Sequence, residues 1–234
     1  MTEPTDLPVL AFADQAALEA WLEEHHDSAA GLYVRIAKKS SGIPSVDWAG
    51  MVEVLLCFGW IDGRANRLDD SWYLQRITPR RPRSVWSLKN VETVARLTAH
   101  GRMRPAGLAA VEAAKADGRW ERAYAGPATI TVPDDLAAAL DAAPGARAVF
   151  DGLTSGDRYS VLWRVQTAAT PGTRAKRIAA AVQSLAGGPA GSAGGPDAEP
   201  EAALVDGGDR QRGPVGAGVD DHPVTDVEGD VADR

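Results

Sequence analysis

WIDGRANRLDDSWYLQRIT, residues 60–78, decides the fold. Two runs rich in Trp, Tyr, Ile and Thr, WIDGRAN and SWYLQRIT, flank the polar tetrapeptide RLDD, which is the pattern of an antiparallel hairpin. Asp69 and Asp70 supply the turn chemistry, since short carboxylates bond the backbone a residue or two ahead. Even pairing across this turn sets Asp62 roughly opposite Arg76. Period-two alternation then places Trp60 and Trp72 on their sheet face.

The segments on either side have the same mixed character. Upstream, Leu18, Trp21, Leu22 and His25 recur at helical spacing in Ala13–His26, and Gly31 ends that run. LYVRIAK alternates Leu32, Val34 and Ile36 with Tyr33 and Arg35, the signature of a half-buried strand. PSVDWAGMVEVLLCF follows as a helix with Ser45 as its N-cap and Val52, Leu55 and Leu56 inward. Downstream, Ser87 caps a helix carrying Leu88, Val91, Val94, Ala95 and Thr98 inward as far as Gly101, and Pro105 opens another. The reading is α+β, a small, mostly antiparallel sheet with packed helices, over residues 8–125.

From 129 to 186 no strand pattern appears. VPDDLAAALDAAP, GARAVFDGL, SGDRYSVLWRVQTA and TPGTRAKRIAAAVQSLAGG read as four short helices, the last with Thr170 as N-cap and Pro171 in its first turn. This is a small all-α region. Residues 187–234 hold eleven acidic and three basic residues, no aromatic, and many Gly and Pro. Such composition buries too little apolar surface to offset ordering entropy and predicts a disordered acidic tail. The whole-chain charge of −7 therefore comes from the tail, and the body before it is nearly neutral.

The apolar runs are too short for a membrane span, and MTEPTDLPVL lacks the basic and apolar regions of a secretory signal. A single cysteine, Cys57, fits a reducing compartment, so the expected location is the cytoplasm. Cys57 within LLCFGW reads as a small buried hydrophobe. His25 and His26 are adjacent and point about 100° apart on a helix, which is not metal-ligand spacing. No metal site and no cofactor is expected. GxSxG, Walker A and GxGxxG are all absent from the sequence.

The polar cluster that stands out is QRITPRRPRSVWS, residues 75–87. Guanidinium forks match carboxylate or phosphate oxygens, and Pro79 and Pro82 stiffen the backbone that carries them. Trp60, Asp62, Arg76, Arg80, Arg81, Arg83, Trp86 and Ser87 are the candidate ligand-binding residues, forming a pocket for a small anion at the junction of hairpin and helix. Asp62 is the one weak catalytic candidate, as an acid or base on a phosphorylated or carboxylated metabolite. In the competing structural reading, Asp62 and Arg76 satisfy each other while Arg80, Arg81 and Arg83 face solvent or clamp the two regions together. A third reading puts the arginines on a nucleic acid, which the near-neutral body and the lack of any recognised binding motif disfavour.

GLYVRIAKKSSGIPS, LCFGWIDG, LQRITPRRPRSVWS, GRMRPAGLAAVEAAKADGRW and TRAKRI, in this order between Phe12 and Leu185, resemble the bacterial bacteriocin-protection family, also called YdeI or OmpD-associated (OmdA). The resemblance implies a YdeI-like domain at 8–125 and an OmpD-associated helical region at 129–186. It also implies a stress-protection role in resistance to bacteriocins and cationic antimicrobial peptides, an association with an outer-membrane porin and no established catalytic residues; the arginine loop itself suggests a small anionic ligand or a protein partner as the means. Two departures stand out. Ala168-Ala169-Thr170-Pro171 replaces the family's lysine-bearing connection, and Gly187-Gly188 with an acidic tail replaces its basic helix end.

Overall fold

The computed structural model describes residues 6–187. The disordered-tail expectation therefore lies outside the described residues, apart from Gly187. The first unit is built from β1 (Val9–Ala11), α1 (Gln15–His25), β2 (Leu32–Ala37), α2 (Trp48–Cys57), β3 (Trp60–Arg67), β4 (Trp72–Pro79), α3 (Leu88–Ala99) and α4 (Pro105–Ala116). The second is wholly helical, with α5 (Asp134–Ala142), α6 (Ala146–Asp151), α7 (Ser155–Gln166) and α8 (Pro171–Ala186). The fold is α+β followed by an all-α region, as the sequence indicates.

The four strands run in the order β1-β2-β4-β3, with β2, β4 and β3 antiparallel and β1 parallel to β2. Three-residue β1 is too short to carry a readable alternation and is not expected from the sequence. The hairpin turn is closed by Asp69, whose Oδ1 accepts from the amides of Ser71 (2.7 Å) and Trp72 (2.8 Å). Pairing is uneven, however. Asp62 pairs with Ile77 and Ala65 with Gln75, so β3 fits one extra residue between them. The buried Gln75 amide donates to the Gly63 carbonyl at 2.6 Å and satisfies the bulge from within.

This register corrects the expected pairing of Asp62 with Arg76. Asp62 shares the helix-covered face with Ile77 and Trp60. Arg76 pairs with Tyr33 and lies on the other face, which it shares with Trp72. A shift of one residue exchanges the two faces of a strand, and the bulge sits where the sequence reading assumed even pairing. Two further corrections are local. Asp47, not Ser45, caps α2 by accepting from Gly50 N (2.7 Å), while Ser45 Oγ accepts from Ala37 N at the end of β2. In α3 the buried face is Asn90, Val94 and Leu97, and Leu88, Ala95 and Thr98 are exposed.

The larger core lies between the sheet and α1–α4, around Leu18, Leu22, Val34, Met51, Leu55 and Trp60. A separate core joins Leu136, Leu140, Phe150, Leu162, Val165 and Ile178 of the helical unit. Between the two, Tyr124 runs beside the chain that follows the arginine loop. Its N–H donates to Trp86 O (2.9 Å), and its carbonyl accepts from Leu88 N (2.8 Å). Its ring meets Trp163 of α7 edge-on at 6.0 Å, and Ala125 N donates to Gln166 Oε1. The loop, the start of α3 and the helical unit are thereby fastened at one place.

Candidate functional site

The arginines of 76–83 go to different surroundings. Arg76, on the sheet face away from Asp62, approaches Asp6 at 3.9 Å. Arg81 and Arg83 are exposed on the turn after β4, whose backbone is tied by Ser84 N to Arg81 O and Arg81 N to Ser84 Oγ, both 3.0 Å. Arg80 turns inward. Its backbone N–H donates to Gly59 O (3.0 Å), and its guanidinium carbon lies 3.6 Å from the centre of the Trp86 ring.

Arg80 Nη1 donates to Val85 O at 3.2 Å. Its Nε and Nη2 are buried without a hydrogen-bond partner, and so is Nε1 of Trp86. Buried donors are nearly always paired, and leaving one unpaired costs about 1–3 kcal/mol. All three unspent groups are donors, so what would satisfy them is an acceptor. The residue as a whole keeps partial exposure.

Asp62 lies beside this group. Its carboxylate is buried and accepts from Trp48 Nε1 at 3.2 Å, and Lys89 Nζ sits 4.7 Å from the centre of the Trp48 ring. Burial pushes the Asp62 carboxyl above the ordinary range, against the opposing pull of the Trp48 bond, Arg80 and Lys89. Burial likewise lowers Arg80 to about 10, while Asp62 and Tyr124 favour its charged form and nearby Arg119 disfavours it. The Tyr124 phenol is driven well above its usual value, first by burial and then by Tyr159 and Asp62. The arrangement is a buried, desolvated cation and carboxylate with aromatic walls.

Asp62, Arg80, Trp86 and Ser87 thus come to one region. Ser87 Oγ is engaged as the N-cap of α3, accepting from Asn90 N at 3.1 Å. Trp60 belongs to the core, where it donates to His26 O (3.1 Å) and meets Trp21 edge-on. Arg76, Arg81 and Arg83 stand apart. The sequence reading missed Trp48, Lys89, Trp120 and Tyr124, which complete the surroundings of Asp62 and Arg80. Tyr124 follows GRWERA with no local signal, and only the tertiary contact with the loop reveals it. Cys57 is fully buried, and burial raises its thiol.

No group of three or more His, Cys, Asp or Glu among the described residues comes together to hold a metal ion. No described helix is long and apolar enough to cross a membrane. An open, mostly apolar groove of about 700 Å³ lies elsewhere, between α5 and α8, lined by Ala139, Ala143, Ala175, Ile178, Ala179 and Val182 among others.

The architecture defines a two-part protein, an α+β unit carrying the Arg80 cluster and a helical unit behind it. Residues 129–188 match the family described as Bacteriocin-protection, YdeI or OmpD-Associated. Residues 10–110 match a domain of unknown function (DUF8412). The YdeI-type resemblance is thereby supported for the helical unit, about a quarter of the chain, whereas the Arg80 cluster lies in the part matched by the other family. No curated protein and no solved structure matches the chain.

Proposed function

We propose that this is a cytoplasmic stress-protection protein of bacteriocin and antimicrobial-peptide resistance that acts by binding a small anionic ligand at the arginine loop. The family of residues 129–188 supports the role. One observation carries the site: Arg80 buries two unspent donors, Nε and Nη2, next to the equally unspent Trp86 Nε1. Arg80 is the binding group, and exposed Arg81 and Arg83 raise the local anion concentration at its mouth. Tyr124 connects ligand occupancy to α7 of the helical unit.

The test is survival of a host lacking this gene, challenged with a bacteriocin or a cationic antimicrobial peptide and complemented with variants. Wild type should restore survival, Arg80→Met should not, and Arg81→Ala with Arg83→Ala should restore it in part. Full protection by Arg80→Met at equal protein level would defeat the proposal.

A second reading has its own observation, the buried Asp62 carboxyl, which burial shifts toward its protonated form. In it, Asp62 is the acid of an enzyme acting on a phosphorylated or carboxylated metabolite held by Arg80. Turnover that vanishes in Asp62→Asn while ligand binding persists would establish it. Binding without turnover would reject it.

A further inference from the structure

Which anion the loop takes can be argued from how this molecule uses its other arginines. Arg147 grips Asp141 with Nε (2.7 Å) and Nη2 (3.0 Å), one donor to each carboxylate oxygen. Arg174 grips Asp135 with the same two atoms, at 2.6 and 2.8 Å. Nε–H and the neighbouring Nη2–H point the same way and are spaced to match the two oxygens of a carboxylate. In Arg80 these are the two atoms left without a partner. Arg104 and Arg158 also bury an unpartnered Nε, but their Nη2 atoms are spent on Glu19 and Glu23, and on the Asp151 carbonyl. Among these arginines, Arg80 is the one whose whole side fork is empty.

Charge narrows the choice further. Arg80 and Lys89 act on Asp62 as opposing positive charges, and an added anion would sit near that carboxylate. A phosphate dianion would add a second charge beside a buried carboxylate. It would also bring more oxygens than the three unspent donors satisfy, and each buried acceptor left bare is costly. Trp86 adds a third donor and, with Trp120 edge-on at 4.9 Å, an aromatic wall.

We infer that the Arg80 fork is a binding site for the carboxylate of a small monocarboxylic acid, held in two parallel hydrogen bonds from Nε and Nη2. This rests on the anion-site reading above and names its ligand class. The carboxylate completes Arg80 as Asp141 completes Arg147.

The experiment is calorimetric titration of the full chain with acetate, benzoate and inorganic phosphate at constant ionic strength. It is repeated for Arg80→Lys, which keeps the charge but loses the fork, and for Arg80→Met. Tryptophan fluorescence and far-ultraviolet circular dichroism identify the variants that retain the native fold. The inference expects both carboxylates to bind at least about tenfold tighter than phosphate, and Arg80→Lys to weaken them by a similar factor. Tighter binding of phosphate, lost in Arg80→Lys, would overturn the carboxylate assignment and leave the anion site standing. Failure of all three anions to bind, or carboxylate binding unchanged in Arg80→Lys, would overturn the assignment and the Arg80 anion site together.

Discussion

Gly107→Ala should destabilise the α+β unit by an amount that the packing of α4 on α2 allows to be worked out. A Cβ on Gly107 would stand 2.2 Å from the Cys57 carbonyl oxygen and 2.7 Å from both Cys57 C and Leu56 O. These are backbone atoms at the end of a helix, so no side-chain rotation relieves the clash. Ordinary contact requires α4 to retreat by about 1 Å, which opens gaps at Val111 and Ala114, both buried on the same face. Overpacking of this kind costs roughly 1–3 kcal/mol. The pushed carbonyl also accepts from Arg104 N at 3.0 Å, and weakening that bond adds about 1 kcal/mol. Better helix propensity returns roughly 0.5–1 kcal/mol. The net loss is about 1–3.5 kcal/mol, which for a chain of this size lowers Tm by roughly 2–14 °C. Thermal melts followed by circular dichroism read this directly, with Gly172→Ala as control. Nothing lies within 4 Å of a Cβ at Gly172, in the first turn of α8, so alanine there should raise Tm slightly. A Gly107→Ala protein as stable as wild type would refute the reasoning.

Asp62 titrates above its unfolded value, so the stability tied to its neutral form is full below the unfolded pKa and is lost as pH rises through the folded one. Asp62→Asn, which mimics the neutral form, should therefore raise the urea midpoint at neutral pH, with the gain fading toward about pH 3; a gain equal at both pH values would contradict the cause. Asp135 behaves oppositely, because hydrogen bonds from Arg174 hold its carboxyl low and its contribution, present above the unfolded pKa, is lost as pH falls through the folded one. Arg174→Ala should cost only about 1 kcal/mol at neutral pH, since the pair is partly solvated, and less in acid once Asp135 is protonated and only the Arg174 bond to the Val165 carbonyl is lost; paired urea titrations of both proteins check it.

Much of the scaffold was legible because it rests on local rules. The Asp69 turn, the Ser87 and Thr170 caps and Pro171 at the start of α8 each stand where side-chain chemistry within a few residues requires them. Errors arose where a distant partner decides. The extra residue of β3 is held by Gln75 across the hairpin, and even pairing continued from Ala65 and Gln75 would have set Asp62 opposite Thr78, on the face of Arg76. Leu88 looks like a core residue by type, yet the face of α3 that meets the core runs through Asn90, Val94 and Leu97. The arginine motif marked the right stretch of chain, but its four members are alike in sequence. Only the course of the turn after Pro79, and Tyr124 lying alongside Trp86, separate buried Arg80 from exposed Arg81 and Arg83.

The central claim is that the Nε edge of Arg80 is a ligand site. Nitrogen-15 NMR of the arginine Nε–H groups during titration of the full chain with benzoate tests it most directly, with the Arg80 signal identified by its loss in Arg80→Lys. With benzoate on this edge, the Arg80 Nε–H signal shifts, saturates and exchanges more slowly with solvent, while those of Arg81 and Arg83 move little. An Arg80 signal that stays fixed while Arg81 or Arg83 responds would contradict it.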